Sequence, residues 1–229
     1  MISIVIPSFN AERTLVPTLN ALIPGAVEGL VREAILADGG STDGTLDIAE
    51  AAGMEIVRAE RGRGTQLRAG AATARSDWLL FLHADTVLDA TWLDHAVHFM
   101  ARVDRGEREP AAATFRFALD DDGPMPWLLE KLVSLRFMVF RLPYGDQGLL
   151  IPRKLYEELG GFDAVPLMED VALVRKLKRK QLVMLKAQAV TSAERYRSEG
   201  YILRGFRNLF CMLLYVFRVP PRVLARLYG

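Results

Sequence analysis

Trp78-Leu79-Leu80-Phe81-Leu82-His83-Ala84-Asp85-Thr86 is the stretch on which the reading of this chain turns. Its first five residues are apolar and two of them aromatic, the pattern of a strand buried on both faces of a sheet. An imidazole and a carboxylate follow, with one residue between them. Ligands of open α/β sheets bind beyond the carboxyl ends of the strands, so a cation or a phosphate is expected here. Asp85 suits a hard divalent cation, and His83 suits either a place beside it or a direct contact with the ligand. The plainer alternative makes Asp85 a helix cap and His83 a solvated loop residue. The flanking sequence has to decide.

Upstream, Ile2–Ile6 reads as a strand halted by Pro7-Ser8-Phe9-Asn10. A helix is predicted over Thr14–Ile23, with Thr14 as its N-cap, Pro17 in its first turn and Pro24-Gly25 as its stop. Strands follow at Glu33–Ala37 and Met54–Arg58, separated by a glycine-rich loop and a helix reaching about Ala52. The third strand leads into Arg61–Gly70, where arginines flanked by glycine precede a helix, a setting suited to an anion. With 78–82 as the fourth strand, strands alternate with helices, which predicts a parallel, doubly wound sheet.

Downstream, helices are predicted at Thr91–Arg105, from Pro126 to about Phe140, at Arg153–Leu159 and at the basic stretch Val171–Lys180. Strands are predicted at Ala111–Phe117, Leu149–Ile151, Gln181–Leu185 and Ala189–Ser192, before a helical tail over Tyr201–Phe217 and Arg222–Tyr228.

The 229 residues suffice for one domain with small additions. A net charge of +1 points to no polyanion, and no nucleic-acid partner is expected, yet the charge is unevenly spread. Residues 1–170 carry 16 Lys/Arg against 26 Asp/Glu, whereas residues 171–229 carry 13 against 2. A basic, aromatic tail on an acidic body fits a phosphate, a membrane surface or a lipid-linked acceptor, and fits equally a helix pair packed on the body or on a second copy in a homodimer. Cys211 is the single cysteine, which excludes an intrachain disulfide and fits a reducing compartment. No secretory signal is read at the start, and the longest uncharged run near the end, Asn208–Phe217, is ten residues where a bilayer needs ~20. The expected location is cytoplasmic, with the inner membrane face as an optional contact.

Taken together, the motifs resemble an inverting GT-A glycosyltransferase of family 2 over most of the chain. The resemblance rests on four stretches. Ile6-Pro7-Ser8-Phe9-Asn10-Ala11-Glu12 is similar to the first strand and nucleotide-binding turn, implying donor contacts from Pro7, Ser8, Asn10 and Glu12. Asp38-Gly39-Gly40-Ser41-Thr42-Asp43-Gly44-Thr45 is the most specific match and implies that Asp38 and Gly39 meet the base or ribose. Arg61, Gly64, Gln66 and Arg68 lie in a segment similar to the glycine-rich one near the nucleotide. His83-Ala84-Asp85 stands where the family has Asp-X-Asp, which implies donor contacts there and makes Asp85, with His83, the expected site of Mn2+ or Mg2+. Histidine at 83 departs from the family pattern, since it brings one nitrogen and a charge that varies near neutral pH.

Glu169-Asp170 resembles the family's catalytic acidic pair, with Asp170 as general base. The implied reaction moves a sugar from a nucleoside-diphosphate-sugar donor, UDP-sugar favoured, to the hydroxyl of a small or lipid-linked acceptor. Asp146 and Gln147, in a glycine-bounded loop, are the acceptor-side candidates, against a loop held only by its own hydrogen bonds. Within a single domain the expected division is 1–90 for nucleotide, 91–192 for acceptor and catalysis, and 193–229 as helical tail. Gly145–Gly148, Thr191–Tyr196 and Ala225–Gly229 are similar to a compact bacterial subgroup associated with arsenosugar biosynthesis or radical-SAM neighbourhoods, which implies no substrate. Two rivals remain. A sugar-phosphate nucleotidyltransferase would place its glycine-rich loop after the first strand, and a non-catalytic nucleotide-sugar binding module would not need Asp170.

Overall fold

A computed structural model describes residues 1–217 and 219–228; for Arg195, Val216, Arg222, Ala225, Arg226 and Tyr228 it describes the backbone alone. Arg218 and Gly229 lie outside it, as do most side chains of the closing 225–229 stretch. The first half runs β1 (Ile2–Ser8), α1 (Glu12–Val27), β2 (Val31–Asp38), α2 (Thr45–Ala51), β3 (Glu55–Arg58), α3 (Arg63–Thr73) and β4 (Trp78–Phe81). Next come β5 (Thr86–Leu88), α4 (Trp92–Asp104), β6 (Ala112–Leu119), α5 (Pro124–Phe140), β7 (Leu149–Pro152) and α6 (Arg153–Glu158). The chain closes with α7 (Glu169–Val174), β8 (Leu182–Thr191), α8 (Glu194–Glu199), α9 (Tyr201–Val216) and α10 (Pro221–Tyr228).

The strands join one sheet in the order β3-β2-β1-β4-β7-β6-β8-β5. β1, β2, β3 and β4 are mutually parallel, while β7 runs antiparallel to β4 and β6, and β5 antiparallel to β8. Period-two alternation divides the core between the two faces. Ile2, Ile4 and Ile6 of β1 and Leu80 of β4 pack with Leu15 of α1 and Trp92 and Phe99 of α4. Val5, Leu79 and Phe81 pack on the other face with Leu67 of α3, Leu155 of α6 and Phe137 of α5.

Chain order reverses at β1, whose successor β2 lies on one side and β4 on the other. That is the topological switch point, so the ends of β1 and β4 border the natural ligand crevice. Antiparallel pairing brings more residues to the same rim. Phe81, the last residue of β4, pairs with Leu149, the first of β7, so the 145–147 turn stands beside His83. Thr86 pairs with Thr191, which puts the end of β8 against the His83–Asp85 loop.

Several predicted boundaries shift, each for a physical reason. β1 continues through Pro7 and Ser8, still paired with β2, because its ladder with β4 has ended at Val5 and the missing N–H of Pro7 falls on that vacated side. α1 starts after Ala11, not at Thr14, and runs on past Pro24-Gly25. Gly25 serves close packing rather than termination, since a Cβ there would lie 2.9 Å from the Trp92 ring. β5 was not expected; three residues carry no readable period. The two strands predicted near 181–192 are one strand, β8, with an irregular register opposite Thr114 and Arg116 of β6. The predicted basic helix to Lys180 stops at Val174. Five of residues 175–180 are basic, and like charges at helical spacing repel. Lys178 is extended instead, its amide capped by Gln181 Oε1.

The approach of α3 to the sheet is set by Gly70, where a Cβ would fall 2.5 Å from Val5 Cγ1. Alanine there gains about 1 kcal/mol of helix propensity and loses about 1–3 kcal/mol to overpacking. Gly70→Ala is therefore expected to lower stability, and urea unfolding will show a reduced midpoint; an unchanged or raised midpoint would mean that the contact relaxes freely.

Candidate active site

The carboxyl rim is built in two halves. On the first, Asp38 is buried at the end of β2 and engaged by its own loop. Its Oδ2 accepts from the amides of Gly40 (2.9 Å) and Ser41 (3.0 Å), and its Oδ1 from the Ser41 hydroxyl (2.5 Å). This loop is zipped to the turn after β1. Asn10 Oδ1 accepts from the Thr42 amide, Glu12 Oε2 from the Gly44 amide and Asp43 Oδ2 from the Glu12 amide. Asn10 adopts a left-handed backbone (φ 51°), which asparagine tolerates well.

Gln66 is buried beneath the same half as a bracket, its Nε2 donating to the carbonyls of Ser8 (2.6 Å) and Ala37 (2.9 Å). A Cβ at Gly39 would sit 3.0 Å from that Nε2, so glycine there admits the bracket. Pro7 and Ser8 are buried within β1. Arg61 is exposed and stacks on Phe9, 3.9 Å from the ring centroid. Gly64 packs against the 163–165 backbone, where a Cβ would lie 2.1 Å from the Asp163 carbonyl oxygen. Arg68 is exposed on α3 and outside the cleft.

The second half is a cleft. Arg63 of α3, His83 and Asp85 line it together with Tyr144, Gly145, Asp146, Met168, Asp170, Thr191 and Ser192. Tyr196 of α8 and Arg204 and Asn208 of α9 close its far side. Ala84 is buried behind this loop, its carbonyl accepting from the Thr18 hydroxyl. Asp170 Oδ2 accepts from the Gly145 amide at 2.6 Å, and Oδ1 from the Val171 amide at 2.7 Å. Adjacent positions on a helix point about 100° apart, so Glu169 enters the body while Asp170 faces the cleft. Met168, left-handed at φ 65°, sets the chain into this turn.

Asp146 and Gln147 part company. Asp146 faces the cleft, with Oδ1 enclosed and without a hydrogen-bond partner. Burial pushes its carboxyl up to about 6, a rise strengthened by Asp170 and Asp85 and opposed by Arg136 and Arg63. Gln147 is fully buried. Its Nε2 donates to the Phe115 carbonyl (3.0 Å), while Oε1 accepts from Arg136 and the Tyr144 amide, both at 3.4 Å. Gln147 thus holds the turn and offers no surface to an acceptor. Neighbouring Arg136 also stacks on Tyr144, 3.5 Å from its ring centroid.

Among the described residues no three His, Cys, Asp or Glu side chains converge as a self-contained metal cage. A divalent cation bound with a diphosphate does not need one, because one or two carboxylates, phosphate oxygens and waters complete its shell. Asp85, beside the unpartnered Asp146 oxygen and next to His83, fits that requirement.

Within the run Arg61–Gly70, expected to suit an anion, the arginine that lines the cleft is Arg63, whereas the individually named Arg61 and Arg68 are exposed elsewhere. Only the helical phase of α3 distinguishes it. Arg204 and Asn208 carried no motif, and the signal for them is the polar side of the otherwise apolar α9.

This sheet, with its crevice at the β1/β4 switch point, has the architecture of the GT-A fold. Residues 3–138, more than half of the chain, match the sequence model of Glycosyl transferase family 2, and the chain belongs to that family. Glucosyl-3-phosphoglycerate synthase of Mycolicibacterium paratuberculosis is 35% identical over 95 residues, covering 38% of this chain and 29% of that protein. A PGL/p-HBAD biosynthesis glycosyltransferase of Mycobacterium bovis is 33% identical over 165 residues, covering 65% of this chain and 62% of that protein. The chain thus spans less than two thirds of either relative. The crystal structure of glucosyl-3-phosphoglycerate synthase from Mycobacterium tuberculosis with Mn2+, UDP and phosphoglyceric acid gives a TM-score of 0.62 at 20% identity, over 94% of this chain and 78% of that one. At this identity the likeness shows the fold.

Glu169 is almost wholly buried, with Oε2 unpartnered, and burial, then the charge of Asp170, holds its carboxyl far above the ordinary 4.5. The folded state therefore binds a proton that the unfolded chain has released, and stability falls as pH rises above 4.5 until Glu169 ionises. Glu169→Gln is expected to remove that loss, so thermal melts from pH 5 to 8 should show a flatter profile than the wild type. Identical slopes would place the pH dependence elsewhere.

Proposed function

We propose that this protein transfers a sugar from a nucleoside-diphosphate-sugar donor to an acceptor hydroxyl, with inversion, and that Asp170 is the general base. One observation carries the reading: Asp170, steadied by two backbone amides, faces the same cleft as Asp85, His83 and Arg63. Each amide occupies one lone pair of the carboxylate, which leaves acceptor capacity on both oxygens. The acceptor oxygen bonds to the anomeric carbon as the bond from that carbon to the diphosphate oxygen breaks. Its proton passes to Asp170, and the diphosphate leaves with the bonding pair.

Arg63 places a permanent cation beside the leaving diphosphate. Asp85, with His83 next to it, is the proposed holder of Mn2+ or Mg2+, which when bound neutralises charge on that group. Crystals of the Mycobacterium tuberculosis synthase with UDP and Mn2+ or Mg2+ support the choice of metal and of a UDP-type donor. The first half of the rim, from Asn10 to Thr45, is the proposed seat of the nucleoside. There Asp38 and Gln66 act by shaping the backbone, since their polar atoms are bonded within the chain. The acceptor is assigned to the side of the cleft walled by Asp146, Tyr196, Arg204 and Asn208.

Asp170→Asn is expected to cut transfer by about 10²–10⁴-fold, the usual worth of a general base, while calorimetric affinity for UDP with Mn2+ stays near the wild-type value. Near-normal turnover in the Asn variant would sink the base assignment. Asp85→Ala should instead erase the gain in UDP affinity that Mn2+ confers, and a preserved gain would move the metal off Asp85.

A further inference from the structure

α5 and α9 pack side by side and present one apolar surface to solvent. Fourteen of the 23 exposed large hydrophobic side chains among the described residues belong to these two helices. On α9 every side chain described as exposed is apolar, and the positions, such as Leu203, Phe206, Phe210 and Leu213, recur at helical spacing. The opposite side of α9 is buried at Cys211 and carries Arg204 and Asn208 into the cleft. α5 adds Trp127, 59% exposed, with Leu132 and Leu135 beyond it. A contiguous apolar surface of this kind needs an occupant.

Charge identifies it. The Arg179 guanidinium donates to the carbonyls of Met138 and Val139, which fixes the basic 175–180 run at the end of the α5 face. Residues 171–229 carry 13 Lys/Arg against 2 Asp/Glu. A twofold dimer through this face would bring two net-basic segments into one interface, whereas an anionic leaflet complements both the charge and the apolar side chains. No helix among the described residues is long and apolar enough to cross a membrane, so the arrangement is that of helices lying in the interface. We propose that the α5/α9 face docks on an anionic lipid bilayer. Through α9 the cleft is then held about one helix diameter, ~10 Å, from the leaflet.

Flotation of the full chain with phosphatidylcholine vesicles, with and without phosphatidylglycerol, tests this. The protein should rise with the anionic vesicles, less with the neutral ones, and the difference should vanish in 1 M salt, about ten times the usual ionic strength. Phe206→Asp and Phe210→Asp should each lower partitioning about tenfold, the worth of one buried aromatic side chain, with unchanged circular dichroism. The wild-type salt and lipid dependence does not rely on those variants folding. Absence of flotation, equal binding to neutral vesicles, or a solution dimer that the same substitutions split would each overturn the proposal. Flotation needs no catalysis, so Asp170→Asn should float like the wild type, and failure here is separable from failure of the transferase reading.

Discussion

The hydrogen bond from the Gly145 amide to Asp170 Oδ2, at 2.6 Å, is the contact on which the cleft depends. It joins two segments that meet only because β7 pairs antiparallel to β4 and starts where β4 ends. A Cβ at that point would lie 2.7 Å from His83 Nε2, so any larger residue would have to displace the imidazole. One backbone amide is thus wedged between the side chain that departs from the family pattern and the proposed base. Gln147 holds the turn from below, and the carbonyls of Gln147 and Gly148 both accept from the Thr114 hydroxyl. The position of Asp170 is consequently a property of the sheet, transmitted through one turn.

Much of the parallel half was legible because its signals are local. An apolar run such as Trp78–Leu82 can only be a buried strand or helix, and its length and flanks select the strand. The loop Asp38–Thr45 announces itself by three glycines and side chains that bond their own backbone. The second half was less legible because its order comes from long-range pairing. β5 exists only against β8, and β8 reads as two strands because its register slips opposite β6. Amides are the hardest residues to assign from sequence. Gln66 and Gln147 look like ligand contacts in a glycine-rich setting, yet each is buried with its polar atoms bonded to the chain. Nothing in their neighbours' identities distinguishes a bracket from a binding group.

Crowded carboxylates set the electrostatic character of the site. Asp85, Asp146 and Asp170 share one cleft with Arg63 and His83, and Glu169 lies sealed behind Asp170. Like charges so placed cannot all ionise without cost, and Asp146 and Glu169 are the two whose carboxyls are pushed up. Both also retain an enclosed oxygen without a hydrogen-bond partner. The two carboxyls differ in setting. Asp146 lines the cleft with Arg63, His83 and Asp85, whereas Glu169 is almost wholly buried and lines an adjoining cavity with Leu67, Phe81 and Val174 among others. A neutral Glu169 spares Asp170 a second negative neighbour.

The uneven charge of the sequence acquires a spatial meaning through α9. The body around the cleft is acidic, with 16 Lys/Arg against 26 Asp/Glu over residues 1–170. The net positive charge is confined to the segments from 175 onward, beside helices whose outer faces are apolar. Arg204 belongs to that basic segment but is turned inward, paired with Glu199 at 2.7 Å and lining the cleft. One helix therefore has an apolar face to the outside and a polar face to the cleft, so the outer face is mechanically joined to Arg204 and Asn208 in the cleft wall. Were the apolar side chains merely solvated, each would cost free energy with no compensating contact, and fourteen on two adjoining helices would be a large unexplained burden for one chain. In the proposed docking, the surface that covers them sets the distance and orientation of the proposed acceptor wall as well, because one amphipathic helix carries both faces.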